Sequence, residues 1–345
     1  MKKFGFIMGL ILAALPLPGL AGQEAPAGAI IEDDSPGIFT VVVENDILRG
    51  TDRHYTHGSR FSYYSGKIRE DWLNRLAELA PFVPRSGPDQ LWRASTALGH
   101  NIYTPADITV SELQTEERPY AGYLYLGFGL VRVAETPATG RGIVDSFELQ
   151  AGVVGPAALA RPIQTWWHAN VSSSPEPMGW DHQLRNEPIL NLYWDRQWRY
   201  PLSAGPWVDT DLIPHTGLAL GNADIHLGSG FTVRLGKRLA DDNGPPRIRP
   251  SLPGAGYFRK TPALGGYFFV GGEARLVGRN IFLDGNTFRD SHSVSRRAVV
   301  FDAQYGFVVS YHRFKLALTN IIRGREFSGQ SSPDRFSALG LSWQR

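Results

Sequence analysis

Three short stretches of this 345-residue chain hold side chains whose types and spacing suit chemistry. The first, Ile38 to Gly66, reads as two apolar strands with a polar connection. Asn45 and Asp46 close the first strand, and Tyr55, Thr56 and His57 open the second. Phe39, Val41 and Val43 alternate with Thr40, Val42, Glu44 and Asp46, the pattern of a half-buried strand. A bare turn needs no amide and acid facing a hydroxyl and an imidazole. The second stretch is His100 to Pro105 with Arg118 to Gly122. The third runs Gln164-Thr165-Trp166-Trp167-His168, then Gly179 to Gln183, then Asn186-Glu187-Pro188.

Gln164 and His168 are spaced i, i+4, so a helical turn there puts both on one face. Imidazole titrates near neutral pH, which makes His168 the best candidate for a general base among nine histidines. The plain alternative is an exposed loop histidine. Asp46, with carbonyl and amide oxygens nearby, suits a hard cation such as calcium. It equally suits a strand-ending acid that accepts backbone hydrogen bonds. No G-x-S-x-G elbow and no H-E-x-x-H spacing occurs. Cysteine is absent, which excludes a thiolate nucleophile and a disulfide framework.

Alternating segments must position these groups. Phe147, Leu149, Ala151 and Val153 alternate with Ser146, Glu148, Gln150 and Gly152. The cleanest run is Val299, Phe301, Ala303, Tyr305, Phe307, Val309 and Tyr311 against Val300, Asp302, Gln304, Gly306, Val308 and Ser310. The apolar faces carry Trp and Tyr near strand ends, and the other faces mix charges with Gly, as in a membrane barrel with a polar lumen. Twelve strands are expected, near residues 38–46, 57–66, 90–101, 121–134, 143–154, 188–200, 207–221, 225–238, 266–278, 298–311, 312–325 and 334–344. The fold class is therefore all-β, a 12-stranded antiparallel transmembrane β-barrel with a short helix in an extracellular loop. Lipid tolerates no open sheet edge, so the last strand must close on the first. Strand parity puts the connections 47–56, 102–120 and 155–187 at one end, the extracellular end if both termini are periplasmic.

Residues 1–21 read as a signal peptide, with Lys2 and Lys3 before an apolar core of Ile7 to Leu17 and small residues for cleavage after Ala21. Residues 22–37 read as a flexible lead-in and residues 38–345 as one barrel domain. Asp71 to Leu79 reads as a short amphipathic helix. Removing Lys2 and Lys3 leaves 33 basic against 33 acidic residues, so nothing points to nucleic acid. Three features fit a barrel less well: Arg196 falls on a lipid-facing position, Pro214 interrupts a strand, and the chain ends Trp343-Gln344-Arg345. The Pro-rich stretch Ala240 to Leu264 either plugs the lumen or hangs in the periplasm.

The motifs V-E-N-D, H-Y-T-H-G, N-I-Y-T-P, R-P-Y-A-G-Y-L-Y-L-G, Q-T-W-W-H and G-W-D-H-Q-L-x-N-E-P, between Val43 and Pro188, resemble the lipid A 3′-O-deacylase (LpxR) family of Gram-negative outer membranes. The resemblance implies an outer-membrane esterase that hydrolyses the 3′-linked acyl or acyloxyacyl chain of lipid A. It implies that His168 deprotonates a water and that Asp46, with Asn45, holds calcium to stabilise the oxyanion. Thr56 and Gln164 would line the same site. In the family an acidic residue can follow the histidine by about two helical turns; Ser173 and Ser174 stand there in this chain, so either Glu176 or Asp181 substitutes or the acid is dispensable. The implied partners are lipopolysaccharide and the outer membrane, with the protein a monomer. The alternatives are an outer-membrane phospholipase, or a non-enzymatic barrel acting as pore or scaffold.

Overall fold

The computed structural model describes residues 37–46, 53–68, 90–136, 139–172, 174–249 and 256–345. The expected signal peptide, most of the lead-in and the helix expected at 71–79 lie outside the described residues. Twelve antiparallel strands form a closed barrel. In chain order they are β1 Gly37–Asn45, β2 His54–Ser65, β3 Gln90–Thr104, β4 Ala121–Thr136, β5 Arg141–Val154 and β6 Glu187–Ala204. These are followed by β7 Asp209–Gly221, β8 Asp224–Lys237, β9 Thr261–Asn280, β10 Val299–His312, β11 Phe314–Arg323 and β12 Asp334–Gln344. The expected strand count and class are those observed. Helix α1, Ala160–Asn170, lies in the β5–β6 connection outside the wall, whereas the short α2, Ile281–Asp284 after β9, turns inward and stacks Phe282 on Tyr103.

Period-two alternation sorts the side chains. Along β1, Phe39 and Val43 are exposed while Ile38, Thr40, Val42 and Glu44 are buried. Leu126, Phe128, Leu190, Phe231, Phe268, Phe301 and Leu341 continue the exposed apolar belt around the cylinder. Such a belt on a closed sheet is the surface that hydrocarbon requires. Closure is made by β1 against β12, from Ile38 opposite Gln344 to Asn45 opposite Ser337. Trp343 stacks on Phe39 across that seam with centroids 5.3 Å apart, so the chain end that looked atypical seals the join. The β6–β7 pairing lapses between Gln197–His215 and Tyr200–Leu212, and Pro214, which has no N–H, sits in the gap.

Charge pairs fill the interior. Arg60 makes two 2.8 Å bonds to Glu148 across the lumen, and Arg275 and Arg323 both donate to Asp302. The described parts of the Pro-rich segment between β8 and β9, residues 238–249 and 256–260, turn inward and plug the lumen. Arg247 from this segment donates to Glu44 and to Gln304, each at 2.8 Å. Arg249 pairs with Asp195, and Ile248, Tyr257 and Phe258 are buried. Each of these buried charges therefore meets its counter-charge, the condition under which burial is tolerated.

Removing one partner of such a pair strands the other. Arg247→Ala is expected to cost on the order of 3–5 kcal/mol, read as a lower urea midpoint for the folded barrel in detergent. An unchanged midpoint would show that the plug contributes nothing to stability.

Candidate active site

β1, β2 and β3 end together at the rim that also carries the long β3–β4 and β5–β6 connections. Asn45 lies on the outward-facing side of β1, opposite His57 of β2, and its Nδ2 reaches His57 Nδ1 at 3.4 Å. The β2–β3 register shifts between Tyr55 and His57, so Thr56 is the extra residue of a bulge. Tyr55 points inward, packing on Tyr103 and Phe336, while Thr56 Oγ1 meets Thr104 Oγ1 at 2.8 Å. Asp46 is buried just beyond the strand end. Its Oδ2 accepts the backbone N–H of Arg53 at 2.8 Å, which closes the β1–β2 connection around the carboxylate.

Helix α1 supplies the other predicted residues. A left-handed Leu159 (φ 61°) turns the chain out of a short 3-10 turn, Pro156–Ala158, and into the helix. The helix start lies against the outer wall. His100 Nε2 of β3 donates to Ala158 O at 2.8 Å. A Cβ added to Gly122 of β4 would fall 2.5 Å from Ala160 Cβ, so only glycine permits this approach. The amphipathicity of α1 is inverted: Ala160, Gln164 and His168 are buried. Trp166 and Trp167 are 59% and 43% exposed. They do not pack the helix onto the wall.

Gln164 Oε1 accepts the indole N–H of Trp180 at 2.9 Å, and its Nε2 is buried without a hydrogen-bond partner among the described residues. His168 Nδ1 lies 2.6 Å from Pro175 O. A carbonyl can only accept, so Nδ1 carries the proton, and the neutral ring has its lone pair on Nε2. This carbonyl holds the ring where the family resemblance allowed an acid. Glu176 is exposed, and Asp181 is bonded at 2.6 Å to Arg161. Neither substitutes.

The structure thus brings Asn45, Asp46 and Thr56 together at the ends of β1 and β2. Gln164 and His168 share the wall-facing side of a helix docked at the same rim through β3 and β4. His57, His100, Thr104 and Trp180, which the sequence placed in the same three stretches without a specific role in the reaction, join this neighbourhood. The signal for three of them was parity: carried past the strand ends, it puts them on the outward face. Among the described residues, no group of three or more His, Asp or Glu side chains is arranged to hold a metal. A cation at Asp46 would therefore draw on one carboxylate and neutral oxygens, such as the Asn45 amide and Thr56 hydroxyl, a donor chemistry that fits a hard cation. A cavity of about 650 Å³ opens beside the helix start, lined by Arg161, Trp180, His182, Arg185, Asp290 and His292 among others. None of the five predicted residues lines it.

The mouth of the lumen is held separately. His54 bridges Asp334 at 2.6 Å and Glu117 at 3.1 Å, and Arg118 pairs with Glu326 at 3.2 Å. Burial works against ionising Glu326, yet Arg118 and Arg323 hold its carboxyl below the usual range. That contribution to stability is present above the ordinary carboxylate pKa and is lost as pH falls through the lowered value.

If the approach of α1 to β4 needs a glycine, Gly122→Ala will lift the helix from the wall. The expected result is faster protease nicking of the β5–β6 connection with heat-modifiable barrel migration unchanged. Equal nicking rates would mean that the contact is dispensable.

The family model described as outer membrane protein LpxR matches residues 6–345. Among solved structures, LpxR from Salmonella typhimurium superposes with a TM-score of 0.69 at 18% identity, covering 89% of this chain and 99% of that one. The translocator domain of the autotransporter NalP from Neisseria meningitidis reaches a TM-score of only 0.44 at 9% identity, covering 92% and 91%. No curated protein matches the sequence. With a match over nearly its whole length, and a closed twelve-stranded barrel to go with it, this chain belongs to the LpxR family of outer-membrane proteins.

Proposed function

We propose that the protein is a carboxylic ester hydrolase that removes the 3′-linked acyl or acyloxyacyl chain of lipid A at the extracellular rim of the barrel. The observation that carries this reading is helix α1, which buries a polar face bearing Gln164 and His168 and exposes tryptophans. A helix in water does the reverse. Turned this way and seated on the outer flank, α1 offers apolar side chains to acyl chains and keeps its polar groups for the reaction.

His168 is the general base. With Nδ1–H committed to Pro175 O, Nε2 takes a proton from water as that water attacks the ester carbonyl carbon. The tetrahedral intermediate collapses by breaking the bond to the sugar oxygen, and the imidazolium returns its proton to that oxygen. The products are a fatty acid and a sugar hydroxyl, with no covalent enzyme intermediate. Gln164 Nε2 is a buried donor on the same face, available to orient water or carbonyl. Thr56 lines the strand side. Asp46 with Asn45 would hold calcium. When bound, the cation supplies Lewis-acid polarisation of the carbonyl.

The pore reading loses support from the plug, which fills the lumen with ion pairs, and leaves the phospholipase reading as the enzymatic rival. Mass spectrometry of lipid A from expressing cells should show loss of the 3′ chain; an unchanged acylation pattern with calcium supplied would sink the proposal. Release of fatty acid from purified glycerophospholipid at an equal rate would favour the rival instead. His168→Ala should lower the rate by roughly 10²–10⁴-fold, and Asp46→Ala should abolish activity, each with the barrel still folded. A calcium chelator should silence the wild type and added calcium restore it; activity indifferent to chelation would remove the cation from the scheme.

A further inference from the structure

Arg196 was the residue that fitted a lipid-facing wall least well, and its surroundings carry a second site. Arg132 of β4, Asp145 of β5 and Arg196 of β6 stand directly opposite one another across three strands. All three share the outward parity of Phe128, Leu149 and Leu192, which are exposed on the same strands. Arg196 Nε donates to Asp145 Oδ1 at 2.7 Å and its Nη2 to Oδ2 at 3.2 Å. Arg132 Nε donates to Oδ2 at 2.8 Å, and its Nη2 also bonds that oxygen. Asp145 is 0% exposed although it is on the outside of the barrel, because the two guanidinium groups cover it; the Arg196 side chain itself stays 31% exposed.

The arithmetic leaves one positive charge in excess on a wall that faces lipid. The triad lies four residues from the β4–β5 turn, at the end opposite α1, and Trp194 and Trp198 lie one outward position above and below Arg196 on β6. That is the level of an interfacial aromatic girdle, where lipid headgroups meet the acyl region. Uncompensated charge there is costly unless it faces an anion or reaches the interface. Asp145 uses its oxygens on the Nε and Nη2 atoms, which among the described residues leaves the Nη1 groups of both arginines for an outside acceptor, and a phosphodiester presents paired oxygens that suit guanidinium donors.

We propose that Arg132 and Arg196, held in place by Asp145, bind the phosphate headgroup of an anionic phospholipid in the periplasmic leaflet. This site is separate from the proposed hydrolytic one and lies at the other membrane surface. It fixes the depth of the barrel on one side through a bound lipid.

The test uses the full-length protein, delipidated in detergent and titrated with phosphatidylglycerol or with zwitterionic phosphatidylcholine, read by native mass spectrometry. The wild type should retain phosphatidylglycerol adducts in preference to phosphatidylcholine. The variant Arg132→Gln/Asp145→Asn/Arg196→Gln, which keeps hydrogen-bonding groups but no charge, should lose that preference, with binding roughly fivefold weaker or more. Should the triple variant not fold, Arg196→Gln alone leaves Asp145 paired with Arg132 and should weaken the adduct in the same direction. Equal retention of both lipids, or unchanged adducts in the variants, would overturn the proposal. So would a wild-type dimer mass with no lipid adduct, which would assign the triad to contact between copies.

Discussion

Every backbone amide of a segment in hydrocarbon must find its partner within the protein, and that constraint governs this molecule. The ladder from β1 around to β12 and back meets it by closing on itself. Closure fixes which residue stands opposite which, and so decides what each side chain faces. The pairing of Asn45 with His57, and that of Asp145 with two arginines, are consequences of register. Neither is chosen by local sequence.

The candidate active site departs from that ladder at two places. A bulge at Thr56 adds a residue to β2, so Tyr55 can face the aromatic core while Thr56 bonds Thr104. At Gly122 the absence of a side chain lets Ala160 come within contact of the wall. One feature re-aims side chains and the other admits a helix. Together they set groups from four strands and a loop at one rim.

Much of the architecture was legible because period-two patterning survives translation into a barrel directly. Twelve strands, their parity and the shared rim of the three motif clusters follow from alternation and turn residues. The i, i+4 spacing of Gln164 and His168 put both on one face provided the loop was helical, and it is. The atom that orients His168 was not legible, because Pro175 contributes its backbone carbonyl, which any residue has. Nor was the fate of the Pro-rich stretch: Arg247 finds Glu44 some two hundred positions earlier, and no periodicity encodes that meeting. Arg196 looked misplaced for the same reason, since its explanation lies on neighbouring strands.

The stoppered lumen has a consequence at the level of the cell envelope. A cylinder of this girth, left hollow, would leak ions and small toxic solutes, and each added copy would weaken the sieve that an outer membrane provides. Because Arg247, Arg249 and their acidic counterparts occupy the bore, the protein can be abundant without raising permeability.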